Sequence, residues 1–230
     1  MSREELISQL EFYRDIGISQ IDVGPVRART MGPGDAPAQA IPTGETMSLD
    51  EIRKDLGDCQ RCQLAGTRTN IVFGSGSPDA RLVFVGEAPG SDEDRQGIPF
   101  VGRAGQLLTK IIESIGIKRD DVYICNVLKC RPPGNRNPEP AEVAECSPFL
   151  KRQIESLNPK IVCCLGAFPA QSLMGMNVPI SKFRGEFHMV DGIRYIATFH
   201  PAYLLRNASK KREVWEDMKK ISATLAELGS

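Results

Sequence analysis

Four cysteines in this chain have the spacing of a metal-binding set. Cys59 and Cys62 form a C-x2-C pair, whereas Cys130 and Cys146 are separated by fifteen residues, among them four prolines. Four thiolates suit either a [4Fe–4S] cluster or a tetrahedral zinc ion. Because zinc ribbons usually supply two C-x2-C pairs and this chain has one, the spacing favours the cluster and leaves zinc as the alternative.

Three further cysteines are interpreted as core residues. Cys125, Cys163 and Cys164 lie inside apolar runs, where a free thiol behaves as a small hydrophobic group. The charged start of the chain differs from a signal peptide, and no apolar run approaches the ~20 residues that span a bilayer. We therefore expect a cytoplasmic protein, in which reducing conditions favour metal ligation over disulfides.

Polar or glycine-rich features stand near the ends of three apolar runs. Gly86–Gly90 stands at the end of the run 80–86, Asn126 lies near the end of the run 122–128, and His200 follows the alternating run that ends at Phe199. In open parallel sheets, ligands bind beyond the carboxyl ends of the strands. The sequence therefore predicts that these three features meet in one site.

Apolar runs alternate with helical patterns along the chain. The predicted strands cover 80–86, 122–128 and 160–166, with a hairpin over 185–199 and helices over 48–57, 105–115, 140–156 and 210–228. Asp191-Gly192 separates two alternating runs, which is a strong hairpin signal. Ser48 and Glu51 have the spacing of a capping box. Alternating strands and helices predict an α/β fold with a mostly parallel sheet.

Composition allows one sizeable core in a soluble protein. The chain has 230 residues, of which 41% are hydrophobic and 25% charged. Its 29 basic and 29 acidic residues give a formal net charge of zero. Any binding of nucleic acid must therefore depend on local basic patches.

The pattern divides the chain into three regions. Residues 1–20 carry apolar side chains at helical spacing and predict an N-terminal helix. Residues 21–47, rich in Gly, Pro, Ala and Thr, predict a flexible linker. Residues 48–230 are predicted to form the functional domain, because every candidate site residue lies there.

Three motifs accompany the four cysteines in a fixed order. They are Gly86-Glu87-Ala88-Pro89-Gly90, Asn126-Val127-Leu128-Lys129-Cys130-Arg131-Pro132-Pro133 and His200-Pro201-Ala202-Tyr203-Leu204-Leu205-Arg206. Over about residues 48 to 228, the chain resembles the family 4 uracil-DNA glycosylases. The resemblance implies a three-layer α/β/α sandwich with a central four-stranded, mostly parallel sheet. It also implies excision of uracil from DNA and a [4Fe–4S] cluster held by Cys59, Cys62, Cys130 and Cys146.

The chemistry of uracil excision assigns roles to three residues. An extruded base needs a flat platform, and Phe100 matches the family position that stacks on uracil. Asn126 can accept a hydrogen bond from uracil N3–H and donate one to O4, a pattern that cytosine reverses. His200 can donate to uracil O2, where negative charge develops as the glycosidic bond breaks.

The first motif is expected to face the base, the sugar and the attacking water. We place Gly86, Glu87 and Ala88 against the substrate, with Glu87 as the catalytic candidate that positions water or stabilises the sugar cation. Family 1 relatives have an aspartate where this chain has Ala88. Glu93 matches a family position proposed to crowd the 5-methyl group of thymine. The acidic alternatives to Glu87 are Asp92, Glu93 and Asp94.

Basic and apolar groups near the motifs are expected to hold DNA. A leucine of the third motif can replace the flipped base, and basic side chains can contact phosphates. The predicted contacts are Lys129, Arg131, Arg136, Tyr203, Leu204, Leu205 and Arg206, with the basic run 210–212 as a further candidate. The expected partner is uracil-containing DNA, single- or double-stranded. We expect a monomer that does not engage a membrane.

These features predict a monofunctional glycosylase that hydrolyses the uracil–deoxyribose bond, leaves an abasic site and initiates base-excision repair. No lysine is assigned to Schiff-base chemistry, so strand cleavage is not expected. The alternatives are an iron–sulfur electron carrier and a zinc-stabilised module that binds nucleic acid. An electron carrier would have no use for Phe100, Asn126 or His200 at the ends of strands.

Overall fold

A computed structural model describes residues 46–229 of the chain. The predicted helix over 1–20 and nearly all of the predicted linker over 21–47 lie outside the described residues. Within the described range, no helix is both long and apolar enough to cross a membrane.

Six strands form one mixed sheet within the described range. They are β1 (Ser75–Gly76), β2 (Leu82–Gly86), β3 (Tyr123–Asn126), β4 (Ile161–Leu165), β5 (Phe187–Val190) and β6 (Ile193–Thr198), in the spatial order β1-β3-β2-β4-β6-β5. The four central strands are parallel, which confirms the predicted four-stranded core. The antiparallel edges β1 and β5 bring the count to six.

Seven α-helices accompany the sheet between residues 46 and 229. They are α1 (Leu49–Leu56), α2 (Ser91–Gln96), α3 (Arg103–Glu113), α4 (Pro140–Leu157), α5 (Ala167–Met174), α6 (Pro201–Arg206) and α7 (Lys211–Glu227). The predicted helices correspond to α1, α3, α4 and α7. Helices α2, α5 and α6 were not predicted, because segments of six to eight residues show little helical periodicity.

The start of α1 and the β5–β6 turn both follow local sequence signals. The Ser48 side chain accepts from the Glu51 N–H, and the Glu51 carboxylate accepts from the Ser48 N–H at 2.8 Å. This is the predicted capping box. Asp191 and Gly192 have positive φ angles of 49° and 81°, as the tight hairpin turn requires.

The sheet separates two apolar layers, because successive residues of a strand point to opposite faces. Leu82 and Phe84 pack with residues of α3 and α7 on one face. Val83 and Val85 pack with residues of α4 and α5 on the other. This arrangement is the predicted three-layer α/β/α sandwich.

The three cysteines predicted to lie in the core are fully buried. Cys163 belongs to the layer of α3 and α7, whereas Cys125 and Cys164 belong to the layer of α4 and α5. Burial raises the pKa of each thiol, so these cysteines stay protonated at neutral pH.

The pairing of β2 and β3 continues beyond the strands themselves. The predicted strand over 122–128 ends as β3 at Asn126, which lies opposite Gly86 in the parallel register. Val127 N–H still donates to the Gly86 carbonyl at 3.0 Å. The first two motifs are therefore held side by side at the carboxyl ends of their strands.

Candidate active site

A cleft of about 430 Å³ opens at the carboxyl ends of the parallel strands. The predicted site residues in its lining are Glu87, Ala88, Glu93, Phe100, Asn126, Arg136, His200 and Arg206. Pro89, Gly90, Ala104, Pro132, Asn135 and Ala202 complete the lining. The three sequence motifs therefore meet in one site.

Gly86 lies beneath the cleft and outside its lining. A Cβ atom at this position would be 2.3 Å from Asn126 Oδ1 and 2.7 Å from the nearest carbons of the Phe100 ring. Neither distance is possible in a packed protein. The glycine therefore allows the amide and the ring to approach each other, and its contact with substrate stays a prediction.

Asn126 presents a buried amide to the cleft. Its Oδ1 atom is buried and has no hydrogen-bond partner among the described residues. A buried acceptor without a partner reduces stability, so such atoms are rare in folded proteins. In the lining of a cleft, this oxygen is available to a donor on a ligand, and the amide N–H groups are donors beside it.

Phe100 is held in an unusual backbone conformation by Glu93. Its ring lies 5.6 Å from the His200 ring at an interplanar angle of 35°, and its φ angle is 53°, in the left-handed region. Glu93 Oε1 accepts from the N–H groups of Val101 and Gly102, each at 2.9 Å. Glu93 therefore lines the cleft as predicted, but one of its oxygens is committed to the loop that carries Phe100.

Two residues that were not predicted from the sequence support the same loop. Arg119 donates to the Pro99 carbonyl at 2.7 Å and to Thr109 Oγ1 at 3.0 Å. Gly105 leaves space for the Phe100 carbonyl, since a Cβ atom there would lie 1.9 Å from that oxygen. A glycine inside a helical pattern can signal such an approach, whereas no sequence signal marks Arg119.

The His200 imidazole is an uncharged donor at neutral pH. Its Nδ1 atom accepts from the Ala202 N–H at 3.1 Å, so the neutral ring carries its proton on Nε2. Burial lowers the pKa of His200 to about 4, an effect that Glu93 opposes and Arg206 strengthens. The lining of the cleft therefore contains a neutral Nε2–H group.

A buried ion pair supports the strand that leads to His200. Asp217 on α7 is 2% exposed and accepts from Arg184 and from Thr198 Oγ1, both at 2.6 Å. Arg184 also lies over the Phe199 ring, 5.4 Å from its centroid. Burial raises the pKa of Asp217 despite these partners. The two residues before His200 are thus connected to α7.

Glu87 is the predicted acid whose carboxylate has no hydrogen-bond or ion-pair partner among the described residues. Asp94 is buried and accepts from the Thr69 N–H at 2.8 Å, and Asp92 pairs with Arg95 at 2.7 Å. The Glu87 carboxylate lines the cleft and accepts no hydrogen bond from any described residue, and burial raises its pKa. Asp92 and Asp94 therefore have structural partners, whereas Glu87 is free to act on a ligand.

The predicted metal ligands are free thiols in one region of the molecule: Cys59, Cys62, Cys130 and Cys146. Three of them pack with Leu64 and Leu128, and Ala88 of the cleft contacts the same group. Burial raises the pKa of Cys146, and the nearby thiols of Cys62 and Cys59 add to the shift. Burial also raises the pKa of Cys130, with smaller contributions from the Cys146 and Cys62 thiols.

Hydrogen-bond donors approach the sulfur atoms. The Lys129 N–H donates to Cys146 Sγ at 3.2 Å, and Arg68 donates to Cys130 Sγ at 3.7 Å. Such donors stabilise thiolates, which are the metal-binding form. Between residues 46 and 229, no three His, Cys, Asp or Glu side chains are grouped closely enough to hold a single ion.

Two predicted DNA contacts are wrong because their side chains are inside the protein. Lys129 is 0% exposed, and its amine donates to the Asn126 carbonyl and to the Gln153 side chain. Leu204 is 1% exposed and packs in the layer of α3 and α7. Neither side chain can reach a phosphate or enter a base stack.

The other predicted contacts of the third motif lie at the surface or near it. Leu205 is 43% exposed, and Arg206 follows it in the lining of the cleft without an acidic partner among the described residues. The Tyr203 ring packs against Phe199, with centroids 5.1 Å apart. Leu205 and Arg206 are exposed and Tyr203 is partly buried, so the contact of each with DNA stays a prediction.

The basic side chains in and shortly after the second motif have partners within the protein. Arg131 Nε donates to Asn135 Oδ1 at 2.8 Å. Arg136 lines the cleft but pairs with Glu142 at 2.5 Å, so a phosphate would compete with this carboxylate. The run 210–212 lies at the start of α7, and its first lysine is in an ion pair.

The fold and the cleft together define a class of protein. A parallel α/β sheet carries, at its ligand-binding edge, an aromatic ring, an unpaired amide, a neutral imidazole and an acid. This combination is typical of enzymes that enclose a flat heterocyclic base.

Comparison with known proteins identifies the family. The family described as Uracil DNA glycosylase superfamily matches residues 73–219. The type-4 uracil-DNA glycosylase of Thermotoga maritima is 50% identical over 185 residues, which cover 79% of this chain and 96% of that protein. The type-4 uracil-DNA glycosylase of Archaeoglobus fulgidus is 46% identical over 182 residues, with coverage of 76% and 92%. This chain therefore belongs to the uracil DNA glycosylase superfamily, in its type-4 branch.

Proposed function

We propose that this protein hydrolyses the N-glycosidic bond between uracil and deoxyribose in DNA, leaves an abasic site and thereby initiates base-excision repair. The convergence of Phe100, Asn126 and His200 in one cleft carries the proposal. Relatives of 46% and 50% identity are uracil-DNA glycosylases, which supports the same activity here.

Recognition of the base begins with its extrusion from the DNA stack. The Phe100 ring provides a face on which the flat base stacks. The Asn126 amide accepts from uracil N3–H and donates to O4, and its buried, unpartnered Oδ1 supports this role. Cytosine has an acceptor at N3 and an amino group at C4, so it opposes the same amide with the wrong pattern.

His200 stabilises the leaving group. As the bond between C1′ and N1 breaks, its electron pair moves onto uracil and negative charge develops at O2. A neutral Nε2–H is a fixed donor for that charge, and His200 has this form because Nδ1 accepts from the Ala202 N–H. Since the pKa of His200 is about 4, the donor form does not titrate near neutral pH.

Glu87 acts on the sugar and the water. Its carboxylate lines the cleft and is free of hydrogen bonds from described residues. An anion there stabilises the positive charge that develops on the sugar ring as the base leaves. It also accepts the proton that water loses when it attacks C1′. The water oxygen then forms the bond to C1′ that completes the abasic site.

We further propose that Cys59, Cys62, Cys130 and Cys146 hold a [4Fe–4S] cluster with a structural role. Their uneven spacing favours a cluster over zinc, and the hydrogen-bond donors near two of the sulfurs would stabilise the thiolates that bind it. When bound, the group supplies cross-links between the segment at 59–62, the loop at 130 and helix α4. Purified protein with strong visible absorption and bound iron and sulfide would fit this assignment, whereas colourless zinc-loaded protein would contradict it.

The activity is tested with oligonucleotides that contain one uracil, in single- and double-stranded form. After incubation with the full-length protein, we expect strand breaks at the uracil position only when alkali is added. Intact strands after alkali would exclude the proposed function. Breaks before alkali would show a lyase activity and contradict the monofunctional mechanism.

Two variants connect this activity to the cleft. We expect His200→Ala and Asn126→Ala each to slow excision by about 10²- to 10³-fold, which is the usual cost of losing a preorganised donor at a reacting group. His188→Ala is the matched control, because this second histidine lies on edge strand β5 and not in the lining of the cleft. Equal activity of all three variants would remove His200 and Asn126 from the mechanism.

A further inference from the structure

A lysine with no acidic partner among the described residues is buried directly after the base-reading segment. Lys129 is fully buried, and its Nζ atom donates to the Asn126 carbonyl at 2.7 Å and to Gln153 Oε1 at 2.6 Å. Burial of an amine is unfavourable, and an apolar side chain would fill the same space without that cost. These two hydrogen bonds are what a lysine provides at this position.

The Lys129 amine is hydrogen-bonded to Gln153, whose side chain is itself held in place. Gln153 lies in α4 and is fully buried. Its Nε2 atom donates to the Phe73 carbonyl at 3.0 Å and to Tyr123 Oη at 3.3 Å. These bonds orient the Gln153 amide, so its oxygen faces the Lys129 amine. The amine is therefore fixed relative to the sheet and α4.

The same Lys129 amine also donates to the backbone carbonyl of Asn126. Strand β3 ends at this residue, and the N–H groups of Val127 and Leu128 still pair with the first motif beyond it. The side-chain oxygen of Asn126 has no partner among the described residues. Its direction is therefore set by the backbone and by the packing around Gly86. A hydrogen bond to the Asn126 carbonyl fixes that backbone.

The backbone of Lys129 is hydrogen-bonded to the segments that carry the cysteines. Its N–H donates to Cys146 Sγ at 3.2 Å, and its carbonyl accepts from the Val72 N–H at 2.8 Å. Cys130 is the next residue in the chain. Lys129 is therefore a junction between Asn126 and the segments that carry the proposed metal ligands.

We propose that Lys129 is a positioning residue for uracil recognition, whose amine sets the Asn126 amide in the geometry that reads the base. This inference rests on the proposed function of the cleft. A role of Lys129 in folding alone is the competing explanation. Under that explanation, removal of the amine would slow uracil excision by the same factor in the wild type and in a variant without the Asn126 amide.

A double-mutant cycle separates the two explanations. Full-length wild type, Lys129→Met, Asn126→Ala and the double variant are compared in single-turnover excision of uracil from a single-stranded oligonucleotide. Methionine keeps the side-chain length and removes the donors. We expect Lys129→Met to lose about 10- to 100-fold in rate, as small misplacements of catalytic groups do. We expect no further loss when it is added to Asn126→Ala, whereas multiplied losses would overturn the proposal.

Inhibition by free uracil gives a readout that does not depend on bond cleavage. The inhibition constant should rise in Lys129→Met, because the displaced amide binds the base less well. Ile154→Ala is the matched control, since Ile154 is buried beside Gln153 in α4 and does not contact the cleft. The control should lower the melting temperature and leave the inhibition constant unchanged. An unchanged constant in Lys129→Met would contradict the positioning role.

A second variant keeps the test decisive if Lys129→Met does not fold. Gln153→Met leaves the lysine in place and removes its distant acceptor. We expect a smaller loss of rate that disappears in the Asn126→Ala background, and a loss that persists there would overturn the proposal. A wild-type protein that fails to excise uracil counts against the proposed function. An active wild type with additive variants counts against the role of Lys129 alone.

Discussion

The cleft has two halves that depend on different parts of the molecule. Phe100 and Asn126 form one half, and His200 forms the other, with the Phe100 and His200 rings 5.6 Å apart where the halves meet. The first half is connected to the segments that carry the four cysteines. The second half is connected to helix α7. A metal centre at the cysteines would therefore influence Phe100 and Asn126 more than His200.

Two connections lead from the cysteine segments to the first half. Lys129 links the cysteine region to Asn126. Asp94 of α2 accepts from the Thr69 N–H at 2.8 Å, shortly after the C-x2-C pair in the chain. The same helix carries Glu93, which holds the loop of Phe100. Both the Asn126 amide and the Phe100 ring are therefore connected to the segments that carry the cysteines.

The second half has its own support. Thr198 and Arg184 both bind Asp217 on α7, and His200 follows two residues after Thr198. None of the four proposed ligand cysteines takes part in this network. His200 is therefore connected to α7 through β6, and its ring also contacts the Ala202 N–H and the Phe100 ring. Changes at the cysteines and changes at α7 should therefore affect different halves of the cleft.

Removal of iron should have the largest effect and should affect the two halves unequally. Ligand binding at a structural metal site supplies folding free energy, so its loss releases the segments that it joins. We expect uracil excision to be lost. Hydrogen exchange measured by mass spectrometry should become fast over 59–72 and 127–146, while 193–206 keeps its protection.

Restoration of iron and sulfide serves as the control for this experiment and should recover both protection and activity. Equal loss of protection in both halves would show that the cluster stabilises the whole domain. Full activity without iron would contradict the structural role assigned to the four cysteines.

Asp217→Ala should destabilise the half of the cleft that contains His200 and leave the cysteine segments unaffected. Removal of one partner from a buried ion pair costs about 3–5 kcal/mol when the other charge is left unpaired, and the loss here should lie at or below the lower end of that range because Glu213 still pairs with Arg184 at 3.5 Å. Urea unfolding should show this decrease in the free energy of unfolding. Glu216→Ala, at an exposed pair on the same helix, should change it by less than about 1 kcal/mol. The iron content of the protein should not change. A loss of iron in Asp217→Ala would show that the two halves of the cleft depend on each other.

Glu93→Ala should act on Phe100 with a smaller cost. The variant removes a charged acceptor from the N–H groups of Val101 and Gly102, which predicts a loss of about 1.5–3 kcal/mol in the free energy of unfolding. Excision of uracil should slow because the stacking ring leaves its strained position. Glu113→Ala, exposed at the end of α3, is the control that should change neither quantity. Wild-type activity in Glu93→Ala would show that other contacts suffice to hold Phe100.

The pH profile tests the protonation state of His200. At pH 5.5, a histidine with the ordinary pKa would be only about one-tenth neutral, whereas one with a pKa of about 4 stays almost fully neutral. The His200-dependent acid limb of kcat/KM should therefore lie near pH 4. Glu87 faces the same cleft and its pKa is raised by burial, so the profile is compared with that of Glu87→Gln. An acid limb near 6.5 that survives in this variant would contradict the assignment.

The same shift has a consequence for stability. Unfolded His200 takes up a proton near pH 6.5, and folded His200 does so near pH 4. Between these values the unfolded state binds more protons, so the free energy of unfolding falls as the pH falls. His200→Gln should remove this part of the acid sensitivity, which urea unfolding at pH 5 and pH 7 can measure.

The arrangement of the site could be predicted where local signals and general topology suffice. Apolar runs between helical patterns indicated parallel strands, and the rule for ligands at carboxyl ends placed Asn126 and His200 together. The capping box at Ser48 and the hairpin turn at Asp191 depend on neighbouring residues only. Such features do not require knowledge of distant contacts.

The incorrect predictions depend on contacts between residues that are distant in sequence. Lys129 was assigned to phosphate because lysine is usually exposed, and nothing nearby in the chain shows that Gln153 receives its amine. Arg119 and Asp217 support the cleft through residues 20 and 19 positions away, respectively. The choice between Leu204 and Leu205 depends on how the six-residue helix α6 lies on the core, which its sequence is too short to determine.

Leu205 provides the smallest and most selective test, because it concerns DNA and not the cleft itself. Its side chain is exposed on α6, whereas the neighbouring Leu204 is buried in the core. If Leu205 fills the space of the extruded base in a duplex, Leu205→Ala should slow excision from double-stranded DNA by about fivefold, or about 1 kcal/mol. Single-stranded DNA has no stack to fill, so its rate should not change.

Leu204→Ala is the matched variant for this test, because it removes the same atoms from the core beside His200. It should lower the free energy of unfolding by about 2–5 kcal/mol and slow both substrates by the same factor. A change in the ratio of double- to single-stranded activity is thus expected for Leu205 alone. The same change in Leu204→Ala would mean that α6 as a whole, and not one exposed side chain, enters the DNA. Because α6 begins at the residue after His200, that result would tie DNA insertion to the half of the cleft that holds the leaving-group donor.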